Sequence, residues 1–308
     1  MRDILQVRDL TKIFGGFKAV DAASFNLQEG EILGLLGQNG AGKTTTIQML
    51  LGVLIPTSGE IEYFGKPFRE HRGEIQEKIN FSSAYTNLPF NLKVKDCLHY
   101  VSHFYDIADR RQRIKEIVSQ FDLEKLLNRT VAALSAGEQT RLNIAKAFLN
   151  RPKIVLLDEP TASLDPENAR VVRTFILEQQ KSEGLSVVFT SHNMEEVEEV
   201  CDRVIFIDGG KITWNDTPYN LSLRLDLNTV TFMLDNPTQD MTRILPKHAL
   251  KWEVHGTEVS IKLKEKSVPG LIQDLVTNQI GFHGLTINRA SLEEYFFKEK
   301  TPGVKNAA

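Results

Sequence analysis

The residues Gly37-Gln38-Asn39-Gly40-Ala41-Gly42-Lys43-Thr44 are of the types, and at the spacing, that hold a phosphate group. They fit G-x-x-x-x-G-K-[ST], preceded by an apolar run at residues 32–36 and followed by a helical pattern at 44–51, the context that such a loop requires. Glycines let backbone N–H groups converge on β- and γ-phosphates with no Cβ in the way, and the following helix adds the positive end of its dipole. Lys43 supplies a point charge to the same oxygens, and the Thr44 hydroxyl is suited to ligate Mg²⁺. A Gly-rich turn matching by chance is the plain alternative.

A second group of residues complements the first. Four apolar residues, 154–157, read as a buried strand that delivers Asp158 and Glu159 at its C-terminal end, where open α/β sheets bind their ligands. Asp158 is the natural partner for Mg²⁺, directly or through water. Glu159, one residue on, points elsewhere and could take a proton from an attacking water. Two solvated acids closing a strand would look the same without the phosphate loop. Leu134-Ser135-Ala136-Gly137-Glu138 opens a helix that stops before Pro152. Ser135 and Glu138 can form a capping box, and the same helix start can serve as a second anion site. Both readings can hold together.

Between residues 31 and about 215, short apolar runs (32–36, 154–157, 186–190 and 203–207) alternate with helical patterns such as 138–150 and 166–180. Continuously apolar strands between helices imply a parallel sheet covered on both faces, an α/β fold. A helical subdomain at about 91–150 interrupts it. After residue 219 the pattern changes: 229–234 and 258–264 alternate as half-exposed strands do, and 271–277 and 291–298 have helical spacing. The expected organisation is a domain at 1–218 and a small accessory α+β domain at 219–308.

The 308 residues carry 37 Lys+Arg against 40 Asp+Glu, a net charge of −3, with 41% apolar content. That composition excludes a disordered chain and binding of nucleic acid by bulk charge. No apolar run approaches the roughly 20 residues of a membrane span. Cys97 and Cys201 lie far apart, without zinc or disulfide spacing, which suits a reducing, cytoplasmic setting. His99 and His103 stand four apart with no third metal ligand in sight.

With these motifs in this order, residues 4–215 resemble the ATP-binding subunit of ABC transporters, P-loop NTPases. GQNGAGKTT (37–45, adding Thr45) matches Walker A, LSAGE the signature, IVLLDEP Walker B, Ser163-Leu164-Asp165 the D-loop and Thr190-Ser191-His192 the switch region. Phe14 matches the aromatic residue that stacks on adenine. The resemblance implies a head-to-tail dimer, with itself or with a related subunit. Each ATP then lies between one subunit's Walker A and the other's Ser135, Gly137 and Glu138. Glu159 is then the general base, His192 the γ-phosphate sensor, and Mg²⁺ sits at Thr44 and Asp158. It further implies a separately encoded membrane permease, so that the chain is peripheral on the inner face of the cell membrane. The tail at 290–296 resembles subunits serving ABC-2-type permeases, mostly exporters. A soluble ABC ATPase acting on ribosomes or DNA would show two cassettes, a coiled-coil insertion or a basic arm, none of which is evident. A regulatory subunit with little hydrolysis is the third possibility.

Two positions depart from the family's pattern. The signature has Ala136 and Glu138 where LSGGQ has Gly and Gln, while Ser135 and Gly137 are kept. Ala84 aligns where the family has the Q-loop glutamine. Alanine has no polar group with which to reach the Mg²⁺ shell or relay nucleotide state.

Overall fold

A computed structural model describes residues 2–83, 88–162, 164–191, 193–224, 228–234 and 249–289. Ala84, Ser163, His192 and the tail from 290 onward, all singled out in the sequence, lie outside the described residues.

The chain divides into two compact units, 1–217 and 218–308. The first runs β1 (Asp3–Phe14), β2 (Phe17–Gln28), β3 (Ile32–Leu36), α1 (Lys43–Leu50), β4 (Ser58–Tyr63), β5 (Lys66–Pro67), α2 (Arg72–Gln76) and β6 (Ile79–Ser83). It continues through α3 (Val94–Ser102), α4 (Arg110–Gln120), α5 (Ala136–Ala147), β7 (Ile154–Asp158), α6 (Pro166–Glu183), β8 (Ser186–Thr190), α7 (Met194–Val200), β9 (Arg203–Asp208) and β10 (Lys211–Asp216). The second has α8 (Pro218–Arg224), β11 (Asn228–Leu234), β12 (Lys251–His255), β13 (Glu258–Leu263), α9 (Val268–Thr277) and β14 (Phe282–Arg289).

The central sheet has the order β10-β9-β3-β8-β7-β6, parallel from β9 to β6, with β10 antiparallel on its edge. Every residue of β3, β7 and β8 is buried, which is why these strands read as unbroken apolar runs. The three are neighbours, so the loops after β3, β7 and β8 leave the sheet side by side. This is the α/β arrangement with a mostly parallel sheet that the alternation of runs and helices predicts.

A second sheet, β2-β1-β4-β5, is antiparallel throughout and adds to the architecture that the sequence pattern predicts. Its buried residues Leu5, Leu10, Leu27 and Tyr63 share one core with Leu33 and Leu35 of the central sheet, each fully buried. Each such aliphatic side chain contributes roughly 1.5–3 kcal/mol through burial. Tyr63 keeps its hydroxyl satisfied by donating to the Leu50 carbonyl at 2.9 Å.

Within the helical insertion, Arg113 ties α4 to the end of α5. Its guanidinium donates to the Phe148 carbonyl at 2.6 Å and the Leu149 carbonyl at 3.2 Å, a cation placed where the carbonyls at the C-terminal end of α5 need donors. Helix α6 begins at the N-cap Asp165, has Pro166 in its first turn, and ends on Gly184 in the left-handed region. In the second unit a sheet of order β12-β13-β11-β14 packs Val230, Phe232 and Ile261 against Leu271 and Leu275 of α9.

Candidate active site

The phosphate loop is shaped by close approach of backbone. Gly37 and Gly42 have φ of +153° and +111°; a Cβ on them would lie 2.3 Å from the Ile207 carbonyl and 2.4 Å from the Ala19 carbonyl. Only glycine fits either place. Gln38, Asn39 and Gly40 form the exposed crest, and Ala41 is buried below it. Helix α1 starts on Gly42 with no side-chain cap and no acid in its first turn, so its leading N–H groups face the loop without an internal anion. Lys43 is buried, its ammonium donating to the carbonyls of Gly37 at 2.6 Å and Gln38 at 3.2 Å. Burial pulls its pKa down, and the charges of Glu159 and then Asp158 pull it back up. Thr44 is exposed at the helix start, Thr45 is half-buried behind it, and the Thr46 hydroxyl is spent on the Gly42 carbonyl at 2.9 Å.

Asp158 ends β7 with only 3% of its surface exposed. Its Oδ1 accepts the Thr190 hydroxyl at 2.7 Å, and the Thr44 hydroxyl also bonds to the carboxylate. Desolvation raises its pKa despite these bonds and the nearby Lys43, and the charge of Glu159 pushes the same way. Glu159 follows with φ +50°, a left-handed backbone that an L residue rarely adopts. Its N–H is held by the Thr190 hydroxyl at 3.0 Å and the Thr190 carbonyl at 3.2 Å. Glu159 is half-buried, and its charge acts on both Lys43 and Asp158.

Ser135 is the N-cap of α5 and forms the complete capping box. Its hydroxyl accepts the Glu138 N–H at 3.3 Å, and Glu138 accepts the Ser135 N–H at 2.7 Å. Arg129 donates to the other oxygen of Glu138 at 2.9 Å. The Ser135 N–H, and then the Arg129 charge, hold the Glu138 carboxyl below the ordinary value. Gly137 has no steric need to be glycine within its own chain, because a Cβ there would meet only Leu164 at 3.7 Å and Asn168 at 4.0 Å. Asp165 caps α6, accepting the Asn168 N–H at 3.0 Å and its side-chain amide at 2.6 Å; these bonds lower its pKa.

A sequence model for the ABC transporter family matches residues 20–162. The bacitracin transport ATP-binding protein BcrA of Bacillus licheniformis is 32% identical over 301 residues, covering 97% of each chain. The linearmycin resistance ATP-binding protein LnrL of Bacillus subtilis is 30% identical over 95% of this chain and 97% of its own. Among solved structures, cbiO1 of Clostridium perfringens, described as part of the ABC transporter complex cbiONQ, aligns with a TM-score of 0.65 at 27% identity. That alignment spans 73% of this chain and 92% of that one. The chain belongs to the family of ABC transporter ATP-binding proteins. It is an ATP-hydrolysing subunit of that class, built on the family's P-loop fold.

In this ABC subunit the Walker A loop and the Walker B carboxylates come together through the adjacency of β3, β8 and β7. Phe14 stands at the tip of the β1–β2 hairpin, paired with Phe17 and 48% exposed, with the Lys12 ammonium 5.1 Å above its ring. The open aromatic face suits stacking, and β2 runs on from there to the Walker A loop at Ala19. Ser135 and Gly137 begin a different element, α5, and Gly137 lies beside Leu164 and Asn168. Sequence reasoning did not assign Thr190 a role, although it pins both Walker B carboxylate residues. A buried threonine in a strand gives no signal apart from packing.

Proposed function

We propose that this subunit hydrolyses MgATP in a head-to-tail dimer and drives export of a compound through a separately encoded membrane permease, from the inner face of the cell membrane. The observation that carries the hydrolytic part is the joint placement of Lys43, Asp158 and Glu159. All three act on one another electrostatically; the first two are buried, and the third is half-buried on a backbone held by Thr190. Bacitracin transport and linearmycin resistance in the names of its relatives favour export of an antibiotic-like molecule.

The donor set suits Mg²⁺. Asp158 is a desolvated carboxylate beside a helix-start hydroxyl, Thr44, which is hard oxygen chemistry that wants a small divalent cation and phosphate oxygens to complete it. When bound there, the metal supplies positive charge to the β- and γ-phosphate oxygens. The loop amides of residues 38–44 and Lys43 then orient the phosphates, Phe14 holds the adenine, and Glu159 accepts the proton of the attacking water. His192 senses the γ-phosphate. Ser135, Gly137 and Glu138 close the same site on the partner subunit's nucleotide, with Asp165 beside them. No helix among the described residues is long and apolar enough to cross a membrane.

The decisive experiment is Glu159→Gln. It keeps ATP affinity and lowers turnover by about 10²–10⁴-fold, because an amide cannot accept the water's proton. Turnover within a few-fold of wild type removes Glu159 from that role. For the export reading, affinity purification from membranes should recover a multi-span permease. Recovery of the chain only in the soluble fraction, whatever else is expressed, argues against it.

A further inference from the structure

Helix α7 has the sequence Met194-Glu195-Glu196-Val197-Glu198-Glu199-Val200, and from composition alone all four acids look solvated. Glu196 is not. It is 6% exposed and faces inward with Val197 and Val200. One oxygen, Oε2, accepts two hydroxyls: Thr161 Oγ1 at 2.8 Å and Ser191 Oγ at 3.0 Å. The other, Oε1, accepts an N–H of Arg173 from α6 at 3.1 Å. The Nε of Arg173 lies 2.8 Å from Glu199 Oε2, so its charge is shared by two acids of α7.

The two hydroxyls come from different loops. Thr161 lies two residues after Glu159 in the loop that leaves β7, and Ser191 is the first residue after β8, immediately before His192. Ser191 also accepts the Asn193 N–H at 3.0 Å, and Asn193 caps α7 by accepting the N–H groups of Glu195 and Glu196. On the other side, Thr161 accepts the Leu164 N–H at 3.0 Å, next to Asp165. A single carboxylate oxygen therefore sets the spacing between the Walker B loop and the switch loop. Glu159, Thr161, Arg173, Ser191 and Glu196 all line one cleft of about 380 Å³. Hydrogen bonds to an ionised acceptor are the strong ones, and two from separate loops to one atom fix a distance that neither loop sets alone.

We propose that Glu196 is a positioning residue for ATP hydrolysis, holding the loop of Glu159 after β7 and the start of the loop after β8 in register through Thr161 and Ser191, with Arg173 neutralising its charge. The proposal rests on the hydrolytic assignments above. Displacement of a reacting group by about 1 Å can cost on the order of 10²-fold in rate with little effect on ground-state binding.

The test uses the full chain and reads kcat, KM and thermal midpoint for Glu196→Ala, Thr161→Val, Ser191→Ala and their combinations. Thr161→Val and Ser191→Ala remove one hydroxyl each with little change in volume, so they keep the test open should Glu196→Ala fail to fold. The pair together lowers kcat about tenfold or more, with KM held within about twofold. In the Glu196→Ala background the same two substitutions cost almost nothing further, because their shared partner is gone. Two results overturn the proposal: full, multiplying losses in that background, or a lowered thermal midpoint with kcat unchanged. Normal turnover in a parallel Glu159→Gln sample is a different failure. It removes the base assignment, and is told apart because every Glu196 measurement keeps Glu159 intact.

Discussion

The Thr190 hydroxyl donates to Asp158 Oδ1 at 2.7 Å, so the most buried acid of the site is oriented by the strand next to it. The same residue holds the Glu159 N–H, and one threonine thereby fixes both Walker B positions. Oriented charge inside protein costs stability when it lacks a cation, and that cost is measurable.

Asp158→Asn should raise the melting temperature of the nucleotide-free subunit at neutral pH while abolishing Mg²⁺-dependent ATP binding. Burial lifts the folded-state pKa of Asp158 above the ordinary 3.8. The folded protein therefore binds this proton more readily than the unfolded chain does. The penalty is full above the folded-state pKa and disappears as the pH falls through it toward 3.8. Lys43 keeps its larger support, from Glu159, in the variant. The expected gain is about 2–4 °C, the shift that on the order of 1 kcal/mol makes in a domain of this size. It should narrow in melts run at acid pH. A variant that melts lower at neutral pH, with a constant difference at every pH, contradicts the argument.

Two glycines should respond in opposite ways to alanine. Gly42→Ala drives a Cβ against the Ala19 carbonyl on a backbone at φ +111°, and should cost about 2–5 kcal/mol in urea unfolding along with nucleotide binding. Gly137→Ala sits in the first turn of α5 with only ordinary contacts around it. It should stabilise the monomer by about 0.5–1 kcal/mol. If the partner subunit's nucleotide must approach that helix start, the same variant loses ATP-driven dimers on size-exclusion chromatography. Unchanged dimerisation would place the nucleotide elsewhere.

A mixed dimer tests whether the site is shared. Homodimers of Lys43→Ala or of Ser135→Arg carry a defect at both sites and should not occlude ATP. Co-expressed with different tags and purified as the mixed pair, both defects fall in one site if Ser135 acts across the dimer, leaving the other intact. One occluded nucleotide per mixed dimer is expected. An assembled mixed dimer no better than either parent returns Ser135 to the capping role that its bonds to Glu138 already describe.

The site was readable because phosphate chemistry leaves few choices of residue type. The glycines, Lys43, Thr44 and the acids after a buried run are visible at fixed spacing, and β3, β7 and β8 are unbroken apolar runs for the same structural reason. The β1–β2 pairing was not readable. Its register slips at several points, and Asp9 and Ala22 take positive φ, so the alternation that announces a half-buried strand is broken midway in each strand. Strand β12 is exposed along its whole length and β14 contains Gly284 at φ +64°, leaving neither with a pattern to read. Glu196 was hidden among three other acids on one short helix; only the neighbours supplied by α6 and the two loops distinguish it.

The left-handed backbone of Glu159 has a consequence for laboratory evolution. At φ +50° a glycine is relieved of the steric cost that a glutamate bears, and asparagine bears less of it than most residues do. Selection for heat resistance alone therefore pulls this position toward residues without the carboxylate. Libraries enriched by thermal challenge should accumulate Gly or Asn at 159 unless ATP turnover is selected at the same time, and the hardiest clones would be the silent ones.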